Sequence, residues 1–379
     1  MGDLPDRRRM LAAWRNASKV LWRSPAERTV RDRLAELAAG GAQLLDPDEP
    51  VDMYGDGLVE TLEQTVAALL GFPAAAFFPT GTMAQQVALR CWAQRTGNPV
   101  VALHPTAHPE LHERAALTSL TGLRTVHLTG EPRPPTADEV RKFDEEFGTL
   151  LLELPLREAG FVLPSLEELT AVVAAARDRQ AIVHVDGARI WECPPHFGRT
   201  LPEIAALADS VYVSFYKSLG GISGAALAGP ESFVAEAKAW RHRYGGQLFT
   251  QFPAALSAMH GLEQELPRLA SYVEHAGVVA TALQEELAAA GVWWQMQPEG
   301  RPHTHQFRVW LPHAPGVLTT AAVEQAEQTG VALFRRWYPP GPLGPPGLAV
   351  TEVSVTSPGL AWTADDVRQA TRNFLARLP

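Results

Sequence analysis

A lysine and an aspartate each follow directly after a short apolar run in this 379-residue chain. The run Val211-Tyr-Val-Ser-Phe-Tyr leads to Lys217, and the run Ala181-Ile-Val-His-Val leads to Asp186, 31 positions upstream. Such β-branched runs are typical of buried strands, so both side chains are expected at strand ends. This pair suits pyridoxal phosphate, because a lysine amine bonds to the cofactor aldehyde and an aspartate keeps the pyridine nitrogen protonated.

The three other lysines lie in settings that suit a solvated side chain better. Lys19 lies in a basic amino-terminal segment, Lys142 in a run of charged residues and Lys238 in a helical pattern. A lysine that bonds to an aldehyde near neutral pH must be partly desolvated, which favours Lys217. If Lys217 is considered without Asp186, the alternative is a lysine that ends a strand and has no chemical role.

A glycine turn between a predicted strand and a predicted helix offers a place for an anion. Gly81 and Thr82 follow the apolar stretch Phe77-Phe-Pro and precede a helix expected over about 83–93. Helix amino termini present free N–H groups and a favourable dipole to anions, and glycine lets a phosphate approach the backbone. We therefore predict that Gly81 and Thr82 hold the phosphate, although such turns also occur without a ligand.

Two further side chains are candidates for contacts with the cofactor ring and with a substrate carboxylate. His108 follows the predicted strand at 100–103, and its imidazole could stack on the cofactor ring. An exposed loop histidine is the alternative. Arg189 comes three residues after the aspartate and could bind a substrate carboxylate, unless it pairs with a nearby acid such as Glu192.

Seven short apolar runs, most of them separated by helical patterns, predict a buried and mostly parallel sheet in an α/β fold. The strands are expected at 75–78, 100–103, 125–128, 149–152, 182–185, 211–215 and 225–228. A long alanine-rich helical region is expected from about 233 to 290, and a smaller α+β unit after it.

The same patterns divide the chain into three parts. Residues 1–50 are expected to form an irregular arm and a helix near 25–39, which the pair Gly40-Gly41 would end. Residues 51–290 are expected to form the large domain, and residues 291–379 the small carboxy-terminal domain.

Composition and charge exclude several classes of function. The net charge of −9 argues against a nucleic-acid-binding surface, and no apolar run is long enough for a membrane span. Cys91 and Cys193 have neither metal-ligand spacing nor a disulfide pattern, so no metal is expected. The amino terminus lacks an apolar signal region, and the cytoplasm is the expected location.

Five blocks resemble the threonine aldolase branch of the β-eliminating lyases, which are fold-type I pyridoxal phosphate enzymes. They are Met53-Tyr-Gly-Asp-Gly, Phe78-Pro-Thr-Gly-Thr-Met-Ala, Ala107-His with Glu113, His184-Val-Asp-Gly-Ala-Arg-Ile and Ser214-Phe-Tyr-Lys-Ser-Leu-Gly. The resemblance covers residues 50–260 approximately. It implies a large domain like that of aspartate aminotransferase, with a seven-stranded sheet, and a smaller α+β domain at the carboxy terminus.

The resemblance also implies a role for each candidate residue. The expected cofactor-binding residues are Gly81, Thr82, His108, Asp186, Arg189 and Lys217, of which Lys217, His108 and Asp186 are also catalytic. The expected substrate-binding residues are Arg189, Ser24, Tyr54 and His242. Family members imply a homodimer or homotetramer with shared active sites, in which the loop of Tyr54 faces a neighbouring subunit.

The chain departs from the family pattern where the substrate is expected to bind. Leu156 lies where the family has a histidine near the substrate hydroxyl, and the segment of Phe249 lacks a family arginine. The segment beginning at Glu352 replaces a carboxylate anchor, and only Arg23-Ser24 remains of an amino-terminal motif. Cofactor binding is therefore expected to be retained, with altered side-chain specificity.

Two kinds of chemistry and one non-catalytic role follow from this combination. The first is cleavage of the Cα–Cβ bond of a β-hydroxy-α-amino acid to glycine and an aldehyde, as in threonine aldolases. The missing histidine would then be replaced by His108, His242 or a water as base. The second is β-elimination, racemisation or other Cα chemistry with Lys217 as base. The third is a cofactor-binding protein without activity.

Overall fold

The structure, a computed structural model, describes residues 4–44, 48, 50–341 and 344–379. Its helices, α1 to α14 in chain order, are Arg7–Asn16, Val30–Leu44, Leu58–Leu70, Gly81–Thr96, His108–Leu111, Ala137–Lys142, Leu166–Asp178, Pro194–Phe197, Leu201–Ala205, Glu231–Arg243, Phe252–Gln264, Leu269–Ala289, Pro315–Thr329 and Ala364–Leu375. Its strands, β1 to β12, are Lys19–Val20, Ala74–Phe78, Val100–Leu103, Arg124–His127, Thr149–Glu153, Ile182–Gly187, Ser210–Ser214, Ala225–Gly229, Gln295–Gln297, Gln306–Leu311, Val331–Ala332 and Ala349–Ser354.

A seven-stranded sheet carries the candidate site, in the order β2-β8-β7-β6-β5-β3-β4. The pairings among β4, β3, β5, β6 and β7 are parallel, and those of β8 with β7 and β2 are antiparallel. The central strands β5, β6 and β7 are buried along almost their whole length, as expected for a sheet covered on both faces. The predicted mostly parallel α/β sheet is confirmed.

The chain forms two compact units, and the first is discontinuous in sequence. It comprises residues 1–33, 158–162 and 268–379, and it holds the antiparallel sheet β12-β10-β9. The second unit comprises residues 34–157 and 163–267, and it holds the seven-stranded sheet. The division expected from the sequence, at residues 50 and 290, stays a prediction.

The amino-terminal segment differs from the predicted irregular arm, because it contains helix α1 and strand β1. Met10, Ala13 and Trp14 lie three and four positions apart, so they share one face of α1, and that face is buried in a cluster with Val323 of α13. Strand β1 pairs in parallel with β11. The prediction was wrong here because the apolar stripe is narrow and the three consecutive arginines obscure it.

Two helix boundaries also differ from the prediction. Helix α2 runs to Leu44, through Gly40 and Gly41, instead of ending before them. A Cβ at Gly40 would lie 3.2 Å from the His260 ring, so this glycine allows α2 to lie close against α11. The helical region predicted over 233–290 consists of α10, α11 and α12, which are separated at 244–251 and 265–268.

Long apolar helices of the kind that cross a membrane are absent from the described part of the chain.

Candidate active site

Three polar residues lie in one row at the carboxyl ends of the central strands. Glu153 of β5 is the register partner of Asp186 of β6, which is in turn the partner of Tyr212 of β7. Register partners on adjacent strands point to the same face of a sheet, so these side chains are neighbours. Lys217 follows β7 after two intervening residues. Ligands of α/β proteins bind in the crevice beyond the carboxyl ends of parallel strands, which is where this row lies.

Burial changes the acid–base behaviour of Lys217. Desolvation lowers the pKa of its amine to about 8; Arg189 acts in the same direction, and Asp186 and Glu153 oppose it. Burial disfavours the charged form of an amine. Lys217 therefore has a neutral, nucleophilic fraction near neutral pH.

The two strand-end carboxyl groups are affected in the opposite direction. Desolvation, together with the charge of Asp186, raises the pKa of Glu153 to about 7. Burial also raises the pKa of Asp186, while Lys217, His108 and the Ala188 N–H stabilise its charged form. The Glu153 carboxyl accepts hydrogen bonds from the backbone N–H of His108 at 2.9 Å and of Arg157 at 3.2 Å. These two hydrogen bonds hold the start of helix α5 and the segment at Arg157 next to the end of β5.

His108 begins helix α5, and a buried acid orients its ring. Nδ1 lies 3.2 Å from Oε1 of Glu113, whose Oε2 accepts a hydrogen bond from Nε2 of Gln86 at 3.1 Å. An ionised carboxylate only accepts hydrogen bonds, so the hydrogen of this pair belongs on Nδ1. Nε2 is then the ring nitrogen that can accept a hydrogen bond, and the side chain is 33% exposed.

The glycine turn is built as the sequence predicts. Thr80 caps helix α4, because its side chain accepts a hydrogen bond from the Met83 N–H at 3.2 Å. Gly81 and Thr82 form the first turn of this 16-residue helix. The first N–H groups of a helix have no partner within it, so they are available to an anion.

A chain of buried side chains holds α4 against the strands. His184 of β6 contacts Gln85 of α4 at 3.0 Å and Ser210 of β7 at 2.7 Å, and Ser210 accepts a hydrogen bond from Nε1 of Trp92 at 2.8 Å. Burial lowers the pKa of His184 to about 3, so the ring is neutral. These contacts fix the amino terminus of α4 relative to the row of strand-end residues.

Arg189 belongs to the same group of charges. It precedes the short helical turn Ile190–Glu192, and its charge lowers the pKa of Lys217 and favours the ionised form of Tyr216. The structure therefore brings together Lys217, Asp186 and Arg189, as well as His108, which lies close enough to influence Asp186.

Tyr54 and His242 lie in a separate, exposed group of contacts. The Tyr54 N–H donates to the Phe249 carbonyl at 2.8 Å, and the two rings meet edge to face at 5.3 Å. Gln247 joins the group, because its Nε2 donates to the Tyr54 carbonyl at 2.7 Å and its Oε1 lies 2.9 Å from Nδ1 of His242. A Cβ at the preceding Gly246 would lie 3.0 Å from Cε of Met83, so this group borders the glycine turn.

Ser24, the remaining predicted substrate-binding residue, lies in the other compact unit, and its role stays a prediction. Leu156 is almost completely buried, at 1% exposure. Within the described residues, no group of three His, Cys, Asp or Glu side chains is arranged to hold a metal ion.

Sequence reasoning missed the roles of three residues of this group. Glu153 had a usable signal, since it ends an apolar run at the same sheet edge as Asp186. Glu113 had the fixed spacing of five residues from His108. Tyr212 had no distinguishing signal, because an aromatic side chain within a strand is usually part of the core.

The residues fit a flat cofactor that carries an aldehyde, a basic nitrogen and a phosphate. The amine of Lys217 and the carboxylate of Asp186 are buried together. The hydroxyl of Ser214 is fully buried and has no hydrogen-bond partner of normal geometry among the described groups. It lies near the phenols of Tyr212 and Tyr216, and an acceptor on a ligand bound at this strand end would give it a hydrogen-bond partner of normal geometry.

Comparison with known proteins agrees with this arrangement. Residues 36–301 match the family model described as Beta-eliminating lyase. The low specificity L-threonine aldolase of Escherichia coli O157:H7 is 31% identical over 241 residues, which cover 62% of this chain and 72% of that protein.

Two solved structures are similar over nearly the whole chain. A Listeria monocytogenes EGD-E protein assigned as an L-allo-threonine aldolase is 34% identical, with a TM-score of 0.87, and the alignment covers 98% of this chain and 99% of that one. An Exiguobacterium sp. 255-15 protein assigned as an aromatic amino acid β-eliminating lyase/threonine aldolase is 32% identical, with the same TM-score and 98% and 100% coverage.

A more distant structure shares the fold alone. Serine palmitoyltransferase of Sphingomonas wittichii is 16% identical, with a TM-score of 0.61, and the alignment covers 91% of this chain and 83% of that one. The seven-stranded sheet is therefore that of the fold-type I enzymes, as the resemblance implied. The family match covers well over half of the chain, so the protein belongs to the β-eliminating lyase family, in its threonine aldolase branch.

Proposed function

We propose that the protein is a pyridoxal phosphate-dependent lyase that cleaves the Cα–Cβ bond of a β-hydroxy-α-amino acid into glycine and an aldehyde. One observation carries this proposal: the buried amine of Lys217, with its pKa lowered to about 8, lies beside the strand-end carboxylate of Asp186. Membership of the family, and the name of the Escherichia coli relative as a low specificity L-threonine aldolase, support the same reaction.

In this proposal each end of the cofactor has its own residues. Gly81 and Thr82 would hold the phosphate, His108 would lie against the ring, Asp186 would pair with the ring nitrogen and Lys217 would bond to the aldehyde. When bound, the cofactor supplies an electron sink for the pair of electrons left at Cα. The buried carboxylate of Asp186 makes that sink effective, because it stabilises a positive charge on the ring nitrogen.

The protein's side chains handle the protons of the reaction. Nε2 of His108 accepts the proton of the β-hydroxyl, directly or through a water, since Glu113 holds the hydrogen on Nδ1. The Cα–Cβ bond then breaks, the aldehyde leaves and the electron pair stays with Cα. Cα would take up one proton, for which the Lys217 amine, freed once the substrate amine has replaced it on the aldehyde carbon, would be the donor, and glycine would be released.

The substrate side chain is proposed to be larger and less polar than a methyl group. Leu156 is a buried apolar residue where the family has a histidine, and Phe249 lies exposed beside Tyr54. Arg189 is the proposed partner of the substrate carboxylate. Kinetics with L-threonine and L-phenylserine test this point, and equal kcat/KM for the two would remove the support.

The buried Leu156 also favours a second candidate function, β-elimination or racemisation at Cα. Those reactions need a base at Cα, which Lys217 can be, and no base at a β-hydroxyl. They differ from the first proposal in releasing no glycine and no aldehyde from a β-hydroxy-amino acid.

The experiment that tests the proposal is an absorbance spectrum of the purified protein with pyridoxal phosphate, followed by an aldehyde assay with L-threonine, L-allo-threonine and L-phenylserine. We expect a cofactor band that is lost in Lys217→Ala and kept in Lys142→Ala, whose lysine pairs with Asp138 on the surface. Aldehyde release should follow the same pattern. A cofactor band without any aldehyde release would support cofactor binding but overturn the proposed cleavage reaction.

We also propose that the protein acts as a homodimer or homotetramer. The support is an exposed apolar patch around the Tyr54 group, consisting of Val51, Met53, Tyr54, Leu248 and Phe249, each at least 45% exposed. Patches of this kind mark interaction sites in many proteins.

A further inference from the structure

Tyr212 is a buried tyrosine that no step of the proposed reaction uses. Its ring lies within an apolar cluster with Ala84 of α4 and Ala188, and the residue is only 3% exposed. Its strand position places it between Asp186 on β6 and Leu227 on β8. A tyrosine at such a position would be expected to be core, but a buried phenol needs a polar partner.

The hydroxyl end of Tyr212 reaches the glycine turn. A Cβ built on Gly81 would overlap the phenol oxygen and would lie 2.9 Å from Cζ. Glycine at position 81 therefore leaves the space that the phenol occupies, next to the first N–H groups of α4. A buried phenol at the amino terminus of a helix is in position to donate a hydrogen bond to an anion bound there.

One neighbour of the phenol supports this role. Ser214, two residues farther along the same face of β7, is near the hydroxyls of both Tyr212 and Tyr216. Its own hydroxyl is fully buried and lacks a hydrogen-bond partner of normal geometry among the described groups. The turn, the phenol and this hydroxyl thus converge on one buried polar spot.

The protonation of Tyr212 agrees with a donor. Desolvation raises the pKa of the phenol well above its usual range, and the charge of Asp186 acts in the same direction. A phenol with a raised pKa stays neutral at physiological pH, so it keeps the hydrogen that it would donate.

We propose that Tyr212 is a phosphate-binding residue, which donates its phenol hydrogen to the phosphate held at the Gly81 turn. This inference rests on the proposed function, because it requires that pyridoxal phosphate is the cofactor. Its role is binding and positioning: the hydrogen bond adds to those from the N–H groups of α4. Its main competitor is a hydrogen bond between the Tyr212 phenol and the Ser214 hydroxyl, which would need no phosphate.

Pyridoxal and pyridoxal phosphate distinguish these roles, since they differ only in the phosphate. The experiment measures the dissociation constants of both compounds for the apoprotein, by absorbance, in the wild type and in Tyr212→Phe. We expect the phenylalanine variant to bind pyridoxal phosphate about tenfold or more weakly, because hydrogen bonds to charged groups are strong, and to bind pyridoxal unchanged. The proposal would be overturned if Tyr212→Phe weakened the binding of both compounds equally, or weakened the binding of neither.

The control is Tyr244→Phe, which removes another phenol from the same unit. The Tyr244 hydroxyl accepts a hydrogen bond from Arg90 at 2.9 Å and is half-buried. This variant should bind both compounds like the wild type. If the wild-type protein itself binds no pyridoxal phosphate, the proposed function fails, which is a different outcome from a wild type that binds and a Tyr212→Phe variant that binds equally well.

A second measurement serves if Tyr212→Phe does not fold. Incorporation of 3-fluorotyrosine, followed by ¹⁹F NMR of the folded apoprotein, reports on each tyrosine when inorganic phosphate is added. The resonance of position 212 should shift with saturation, and that of position 244 should stay. A resonance of position 212 that does not respond to phosphate would overturn the proposal.

Discussion

Glu153 and Asp186 are register partners at the ends of adjacent parallel strands, so that two carboxyl groups are buried side by side, close enough to influence Lys217. Desolvation and the neighbouring charge raise the pKa of Glu153 to about 7, while burial lowers that of Lys217 to about 8. The two groups therefore change protonation in nearly the same pH range.

The rate at which the apoprotein binds pyridoxal phosphate should rise with pH. The neutral amine of Lys217 is the nucleophile, and its fraction grows as pH increases through the pKa of about 8. Stopped-flow absorbance measures this rate between about pH 6 and pH 9, a range that includes the lowered pKa and lies below the ordinary lysine pKa. A rate that stays flat over this range would contradict the lowered pKa of Lys217.

Glu153→Gln should move this pH profile toward lower pH. The charge of Glu153 raises the pKa of Lys217, so its removal lowers that pKa further. The glutamine keeps a carbonyl that can accept the hydrogen bond from the His108 N–H. The control is Glu146→Gln, whose carboxylate is exposed and pairs with Arg179. A profile identical to that of the control would show that Glu153 has no influence on the amine.

His108→Phe should separate ring stacking from proton transfer. Phenylalanine keeps a flat ring but has no Nε2, so we expect cofactor affinity to stay close to the wild-type value. Aldehyde release should fall about 10²- to 10⁴-fold, the usual contribution of a general base. His108→Ala should lose both cofactor affinity and aldehyde release, because alanine provides neither a ring nor a base. Full activity in His108→Phe would assign the base to another residue or to a water.

Gly81→Ala should destabilise the second unit, because its Cβ overlaps the phenol of Tyr212. Overpacking of this kind costs about 1–3 kcal/mol in the free energy of unfolding. Denaturant titration measures the loss, and Gly130→Ala is the control, since no atom lies within 4 Å of a Cβ there. In a Tyr212→Leu background the cost should shrink. A Gly81→Ala protein as stable as the control would refute the contact.

Phe249→Glu should weaken self-association. The ring is 59% exposed in the patch around Tyr54, and a charge there would be buried in any interface that covers the patch. Light scattering coupled to size-exclusion chromatography measures the mass of the particle. The control is Val278→Glu, at 41% exposure on α12 in the other unit. A wild-type monomer, or an unchanged mass for Phe249→Glu alone, would contradict the proposed interface.

The sequence by itself determined the order of strands along the chain and the two residues at their ends. Each predicted strand of the large sheet lies within a few residues of an observed one, because a fully buried strand must be a short, continuous apolar run. Gly81, Asp186 and Lys217 were selected as candidates because their types and spacing suit the predicted chemistry, and their roles also stay predictions. Residues such as Tyr54 and His242 were selected through the resemblance, and their roles stay predictions.

Only the tertiary structure decided which side chains meet. Glu153, Asp186 and Tyr212 are far apart in sequence and become neighbours through strand register, which no local pattern specifies. The same holds for Gly40 and Gly41, which local propensity treats as a helix end. Close approach to α11 keeps them inside α2, since long-range packing outweighs a cost of about 1 kcal/mol for each glycine.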